Sequence, residues 1–248
     1  MPPHTNSEHI RLGCAGWSLP RQSWPDFPAG GSHLERYAAR LNAVEINSSF
    51  YRPHQRTSYQ RWADSVPAAF RFSVKLPKSI THDKRLAACN TELVDFLAQA
   101  GGLGGKLGCL LIQLPPSLAL NAAQTGRFLK TFRTLHDGPA ALEARHKSWF
   151  TDSADALLAQ HRVARVLADP VLFEPGRQPG GYGGLVYVRL HGSPRVYYSA
   201  YPRDVLDALA VRLQFAAASD AAVWCIFDNT ASGAATTDAL YTRRQIGT

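Results

Sequence analysis

The chain has 248 residues, 45% of them hydrophobic and 19% charged, spread along its whole length; that is enough to close a core without staples, and it excludes a disordered polymer. No apolar run reaches the ~18 to 20 residues a bilayer helix needs, and the opening MPPHTNSEHI lacks the apolar stretch of a secretory signal, so a cytoplasmic protein with no membrane partner is expected. Lys and Arg number 27 against 19 Asp and Glu, a formal net charge of +8, which favours an anionic partner, either a small molecule or nucleic acid.

After a flexible tail over residues 1–10, short apolar runs rich in β-branched residues predict strands at 12–17, 43–47, 70–76, 107–114, 140–145, 164–169, 185–191 and 222–228. Helical spacing falls between most of them. The first apolar stripe is Leu34, Tyr37, Ala38 and Leu41, followed by Tyr59, Trp62 and Ala63, then Leu93, Phe96, Leu97 and Ala100. Further stripes are Phe128, Leu129, Phe132 and Leu135; Ala154, Leu157 and Leu158; Val205, Leu206, Leu209 and Leu213; and the segment 239–244. Alternating strand and helix implies parallel strands joined by right-handed crossovers, and eight such units in this length suit one closed (β/α)8 barrel of the TIM type spanning residues 1–248. The stretch 170–184, PVLFEPGRQPGGYGG, is rich in Pro and Gly and has no helical period, so the sixth helix is expected to be missing.

In such a barrel chemistry sits at the carboxyl ends of the strands, and here those ends are polar. Period-two alternation places Glu45 with Asn47, Ser73 with Lys75, Glu143 with Arg145, and Arg189 with His191, each pair on one face of its strand. Gln113 ends the fourth apolar run, Asp169 the sixth, and Asp228 with Asn229 the eighth. Burying so many charges is costly unless they are paired or used. Two readings follow: a polar ligand pocket, or an internal ion-pair network that shapes the mouth. The loops beyond add Arg52, Arg56, Lys78, Lys84, Arg85, Lys147 and Arg195, so the mouth should attract anions. Trp17 and Tyr51, with Phe50, Trp149, Tyr197 and Tyr198, offer planes on which a base or sugar could stack, although tryptophan is more often a packing plug.

Other chemistries find less support. Cys14, Cys89, Cys109 and Cys225 lie far apart with no C-x-x-C pair, and read as reduced core thiols. GGLGGKLG at 101–108 resembles a phosphate loop but precedes a strand, with Leu107 where Ser or Thr would bind magnesium, and reads as a helix-ending turn. Oxygen and imidazole ligands from Glu45, Glu143, Asp169, His191 and Asp228 could converge on a divalent metal, but Lys75, Arg145 and Arg189 among them would repel it. No cofactor is expected, a divalent metal being the alternative.

The runs GCAGWS at 13–18, AVEINSSFYRP at 43–53, FRFSVKLPKSITHDKRL at 70–86, LLIQLPPSL at 110–118, EARHKSWF at 143–150, YVRLHG at 187–192 and FDNTASGAA at 227–235 resemble the YecE-like family, domain of unknown function seventy-two, over nearly the whole chain. That resemblance implies a (β/α)8 barrel of unestablished role, with a suspected kinship to metal-using barrels such as apurinic-site endonucleases and sugar isomerases. Those metal sites need several histidines at strand ends, where this chain supplies chiefly His191.

The leading expectation is an enzyme acting on a phosphate-bearing or sugar- or nucleotide-like anion, with hydrolysis or phosphodiester cleavage ahead of isomerisation. Glu143 is the expected general acid or base, His191 its proton partner, and Lys75 and Arg189 the stabilisers of developing negative charge. Glu45, Asn47, Tyr51, Arg145, Trp17, Gln113, Asp169, Asp228 and Asn229 complete the expected binding set. The alternatives are a non-catalytic nucleic-acid-binding barrel and a ligand-sensing barrel.

Overall fold

The structure is a computed structural model that describes residues 9–247. Of the tail expected over 1–10, residues 1–8 lie outside the described residues; the tail ends sooner than expected, because Ile10 is already buried and paired with Val223.

The elements in chain order are β1 (Ile10–Ala15), α1 (His33–Ala38), β2 (Ala43–Ile46), α2 (Ser48–Tyr51), α3 (Arg56–Asp64), β3 (Arg71–Lys75), α4 (Asn90–Ala100) and β4 (Leu107–Gln113). They continue with α5 (Ala122–Leu135), β5 (Ala140–Glu143), α6 (Asp152–Gln160), β6 (Val163–Arg165), β7 (Leu167–Asp169), β8 (Gly180–Gly181), β9 (Leu185–Leu190), α7 (Arg203–Ala217), β10 (Ala222–Phe227) and α8 (Ala234–Ile246). The strands form one ten-strand sheet in the order β7-β9-β10-β1-β2-β3-β4-β5-β6-β8, parallel throughout except for the antiparallel β6–β8 pair.

Period-two alternation decides which face each strand residue joins. One face of the sheet carries Leu12, Val44, Phe72, Val74, Leu110, Ile112, Leu142, Cys225 and Phe227, which pack with the apolar stripes of the helices, among them Leu34, Leu93, Phe132 and Leu213. The other face carries Ala43, Cys109, Leu111, Ala141, Ala164, Tyr187, Trp224 and Ile226, a second cluster that contains no helical residue. Strands from distant places in the order therefore meet side chain to side chain, so the sheet is curled with this second cluster on its concave side. Tyr187 and Trp224 stack there, ring centroids 5.9 Å apart and planes 7° from parallel. Gly108 makes room for them, since a Cβ at that position would stand 2.6 Å from the Trp224 ring.

Local chemistry sets the helix starts. Ser32 and Glu35 form a reciprocal capping box at α1, Asn121 accepts from Gln124 N at α5, and Thr151 accepts from Ala154 N at α6. Tyr37 on α1 ties two strands together: its hydroxyl accepts from Cys14 N at 2.7 Å and donates to Ala43 O at 2.9 Å.

Between β7 and β9 the chain makes a 3-10 turn at Glu174–Arg177 and the short β8, and no α-helix. The strand expected over 164–169 is broken: Val166 separates β6, which pairs with β5, from β7, which pairs with β9. Trp17 lies beyond the first strand, which ends at Ala15. The glycine-rich run over 101–106 is a helix-ending 3-10 turn ahead of β4, and all four cysteines are buried and free. No helix among the described residues is long and apolar enough to cross a membrane.

Candidate functional site

The alternation that lays Ala43, Cys109, Ala141 and Tyr187 on the concave face brings Glu45, Glu143 and Arg189 next to it toward the carboxyl ends of their strands, and Arg189 binds the first two. Its Nη2 lies 2.6 Å from Glu45 Oε1, its Nε 3.0 Å from Glu45 Oε2 and its Nη1 2.6 Å from Glu143 Oε2. Asp228 Oδ2 is 3.2 Å from Nη2. The guanidinium is fully buried, and its planar fork suits this arrangement of carboxylates. His191 stands between two of them, Nδ1 3.0 Å from Asp228 Oδ2 and Nε2 3.0 Å from Glu143 Oε1. Arg145 donates to the same Glu143 oxygen at 2.7 Å, so the two cations approach to 3.2 Å with a carboxylate against both.

The protonation states follow from these contacts. Burial alone would raise the Glu143 carboxyl, but Arg189, His191 and Arg145 hold it well below the usual carboxylate range. Asp228 is likewise lowered, because Arg189 and His191 outweigh its burial. Burial would lower His191, yet Glu143 and Asp228 raise it above its ordinary value, favouring an imidazolium that donates from both nitrogens. Three carboxylates raise Arg189 against its burial.

Lys75 is the exception. It is 7% exposed, and its Nζ sits 4.2 Å from the centre of the Phe50 ring. Among the described residues no hydrogen bond reaches the Nζ and no carboxylate lies within ion-pairing distance of it. Burial first, then Arg189, push its pKa down to about 8, with Glu45, Glu143 and Asp228 resisting only from a distance.

The remaining expected residues are placed as follows. Asn47 donates to Asp228 Oδ1 at 3.3 Å, while its own Oδ1 is buried without a partner. It also lines, with Trp17, Ile46 and His33, a cleft of about 420 Å³ beside the ends of β1 and β2. Gln113 is buried at the end of β4, in register with Glu143. Trp17 packs edge-on against Trp62 at 5.2 Å, and Tyr51 is largely exposed against Phe50. Two residues are turned elsewhere: Asp169 accepts from the Tyr201 hydroxyl, and Asn229 donates to Asp238 and Ser199 O, bracing α8 and the loop before α7.

The expected site omitted Tyr187 and His82, and offered Phe50 only as a plane for stacking. Tyr187 lies 2.8 Å from Glu45 Oε2 and 2.7 Å from Ser73 Oγ; with one proton, it donates to the carboxylate and accepts from the serine. Alternation from Arg189 and His191 would have found it. Phe50, on the short α2, covers Lys75, and His82 packs edge-on against Phe50 at 4.9 Å. Burial, with Lys75 next, lowers His82 and favours its neutral form.

The donor set does not fit a divalent metal. The oxygens of Glu143 and the Oδ2 of Asp228 already accept from cations, and Arg145 and Arg189 beside them would repel a divalent ion. Among the described residues, no group of three or more His, Cys, Asp or Glu side chains is arranged to hold a metal ion.

Comparison with known proteins agrees with this architecture. The chain is 32% identical over 106 residues to UPF0759 protein YecE of Escherichia coli (strain K12), covering 43% of this chain and 38% of YecE. It is 26% identical over 153 residues to UPF0759 protein YunF of Bacillus subtilis (strain 168), covering 57% of this chain and 52% of YunF, so the matches span about half or less of these relatives. Crystal structures of a DUF72 family protein from Enterococcus faecalis V583 and of another from Thermotoga maritima MSB8 share the fold, with TM-scores of 0.80 and 0.79. Both are 22% identical to it; each comparison covers 96% of this chain, and 96% and 99% of the respective structures. The family described as "Protein of unknown function DUF72" matches residues 11–248, and the chain belongs to that family.

Proposed function

We propose that the protein is an enzyme acting on a small anionic organic molecule, a phosphorylated sugar or nucleotide-like compound, at the carboxyl-end rim of a (β/α)8 barrel. Closure of the barrel is supported by residues 163–169, which run from one neighbour to the other: Val163–Arg165 pair with β5, Val166 N donates to Leu142 O, and Leu167–Asp169 pair with β9. The rim is then continuous, and rims of such barrels are where substrates sit.

One observation carries the functional reading. Glu45, Glu143 and Asp228 are engaged by Arg189, Arg145 and His191, and Lys75 is left over with no anion of its own. A low-dielectric site with surplus positive charge takes up an anion. In this arrangement Arg145, whose side chain is 20% exposed, holds the charged group. His191 is the proton donor, fixed by its two carboxylates. Glu143, expected from sequence to transfer protons itself, orients and charges His191 instead, since three cations keep it ionised.

The test is a thermal-shift series with inorganic phosphate, sugar phosphates, nucleotides and the matching neutral sugars. Anions that raise Tm in the wild type and lose most of that shift in Lys75→Met support the reading; a saturating ligand at about 100 Kd gives about 2.7 kcal/mol of stabilisation. No shift with any anion overturns it. Oligonucleotide binding that falls steeply with salt and survives Lys75→Met would point to a nucleic-acid module instead.

A further inference from the structure

We propose that Lys75 is a nucleophile that condenses with the carbonyl of an aldehyde or ketone bearing an anionic group, forming an imine at the rim. The inference rests on the anion-site reading above and names the substrate class.

Four cationic side chains of Lys and Arg are buried among the described residues, and three have partners. Arg36 donates to Pro28 O, Arg165 to Asp155, and Arg189 to Glu45 and Glu143. Lys75 alone among these four has a hydrocarbon ring where an acceptor would be. Its backbone is held, the Ser49 hydroxyl donating to Lys75 O at 2.7 Å, and its amine lies over the Phe50 ring. The exposed Lys84, by contrast, reaches Glu92 and Ala88 O.

This matters because an ammonium has no lone pair. An acceptor within hydrogen-bond reach would stabilise the charged form and block attack, whereas desolvation against Phe50 favours the neutral amine. The charged and titratable groups around it are Glu45 on β2, Glu143 on β5, Arg189 on β9, Asp228 after β10 and His82 after β3. The two largest effects, burial and Arg189, both disfavour its charge.

The step balances without oxidant or reductant. The Nζ lone pair forms a bond to the carbonyl carbon while the carbonyl π pair moves to oxygen, which takes up a proton. The nitrogen gives up a proton, for which neutral His82 on the same Phe50 ring is an available acceptor. The His82 imidazolium returns that proton to the hydroxyl, which leaves as water, the carbon–oxygen bond breaking as the carbon–nitrogen double bond forms; the proton first taken up by the oxygen replaces the one the ammonium released to solvent. The protonated imine keeps one positive charge where the ammonium had one, so the network is undisturbed.

The experiment traps the imine. The full chain is incubated with dihydroxyacetone phosphate or with pyridoxal 5′-phosphate, reduced with sodium borohydride, and mapped by peptide mass spectrometry. The expected result is one reduced adduct, on the peptide carrying Lys75, that weakens below pH 8 and is absent from Lys75→Arg and Lys75→Met. Dihydroxyacetone without its phosphate should label about tenfold less, because the rim concentrates anions. Adducts spread evenly over exposed lysines such as Lys147 overturn the proposal, and this outcome is read on the wild type whether or not a variant folds. If sugar phosphates raise Tm yet no Lys75 adduct forms, the imine fails and the anion site stands; if neither occurs, both fail.

Discussion

Arg189 and Lys75 stand on the same concave face, both buried, and their surroundings drive them in opposite directions. Arg189 has three carboxylates around it and is held charged; Lys75 has an aromatic ring and is pushed toward neutrality. Burial is common to the two, so what separates a cation held charged from one pushed toward neutrality here is the partner. The charged floor also explains how a lone amine can be tolerated above it: Glu45, Glu143 and Asp228 act on Lys75 at a distance but are occupied by others at contact.

Arg189→Met should break this contrast with the largest effect. It leaves Glu45 and Glu143 buried without their main cation, and a loss of about 3–5 kcal/mol in urea unfolding at pH 7 is expected. A loss under about 1 kcal/mol would mean the network relaxes to water.

Lys75→Met should move stability the other way. The folded pKa of about 8 lies below the ordinary 10.5, so the native state bears a penalty that is fully present below pH 8 and fades as pH rises toward 10.5. Removing the amine should add about 1–3 kcal/mol at pH 7, and the gain should vanish near pH 10.5. A variant less stable than wild type at pH 7 would show that Lys75 has an anion after all.

The carboxylates and His191 sharpen the contrast through pH. Glu143 and Asp228 are lowered, so their contribution is present above their ordinary pKa values and lost as acid takes pH through the folded ones. His191 is raised, so its contribution is full below its ordinary value and lost as pH rises through the folded one. In His191→Gln the alkaline loss should flatten while the acid loss remains, as read by Tm against pH.

Tyr187→Phe removes the hydrogen bonds to both Glu45 and Ser73 and should cost about 1–3 kcal/mol in urea unfolding. Smallest is Glu92→Gln, which breaks the exposed ion pair with Lys84 and should fall within about 0.5 kcal/mol of wild type.

Much of this architecture is legible in the sequence because period two and period 3.6 are both clean: the eight strand segments and the stripes of α3 to α8 fall where the structure has them. The convergence of Glu45, Glu143, Arg189 and His191 is legible too, since alternation fixes a face and parallel strands bring like ends together. The break at Val166 is not, because a kink that lets one segment pair with β5 and then β9 leaves no mark on hydropathy. Neither is α2, four residues long, too short to show a helical period. Tyr187 shares the alternation of Arg189 and His191 and is legible on that ground, but in an apolar run its ring reads as core. The isolation of Lys75 depends on which acceptors stay out of reach, and no spacing rule encodes that.

The parallel stack of Tyr187 on Trp224, admitted by the missing side chain at Gly108, stoppers the interior on the far side of the charged residues. That end of the concave face is therefore packed with buried side chains. Under the imine proposal, the water released in the condensation leaves by the carboxyl-end rim at which the carbonyl compound arrives, because the other end of this face is filled by buried side chains.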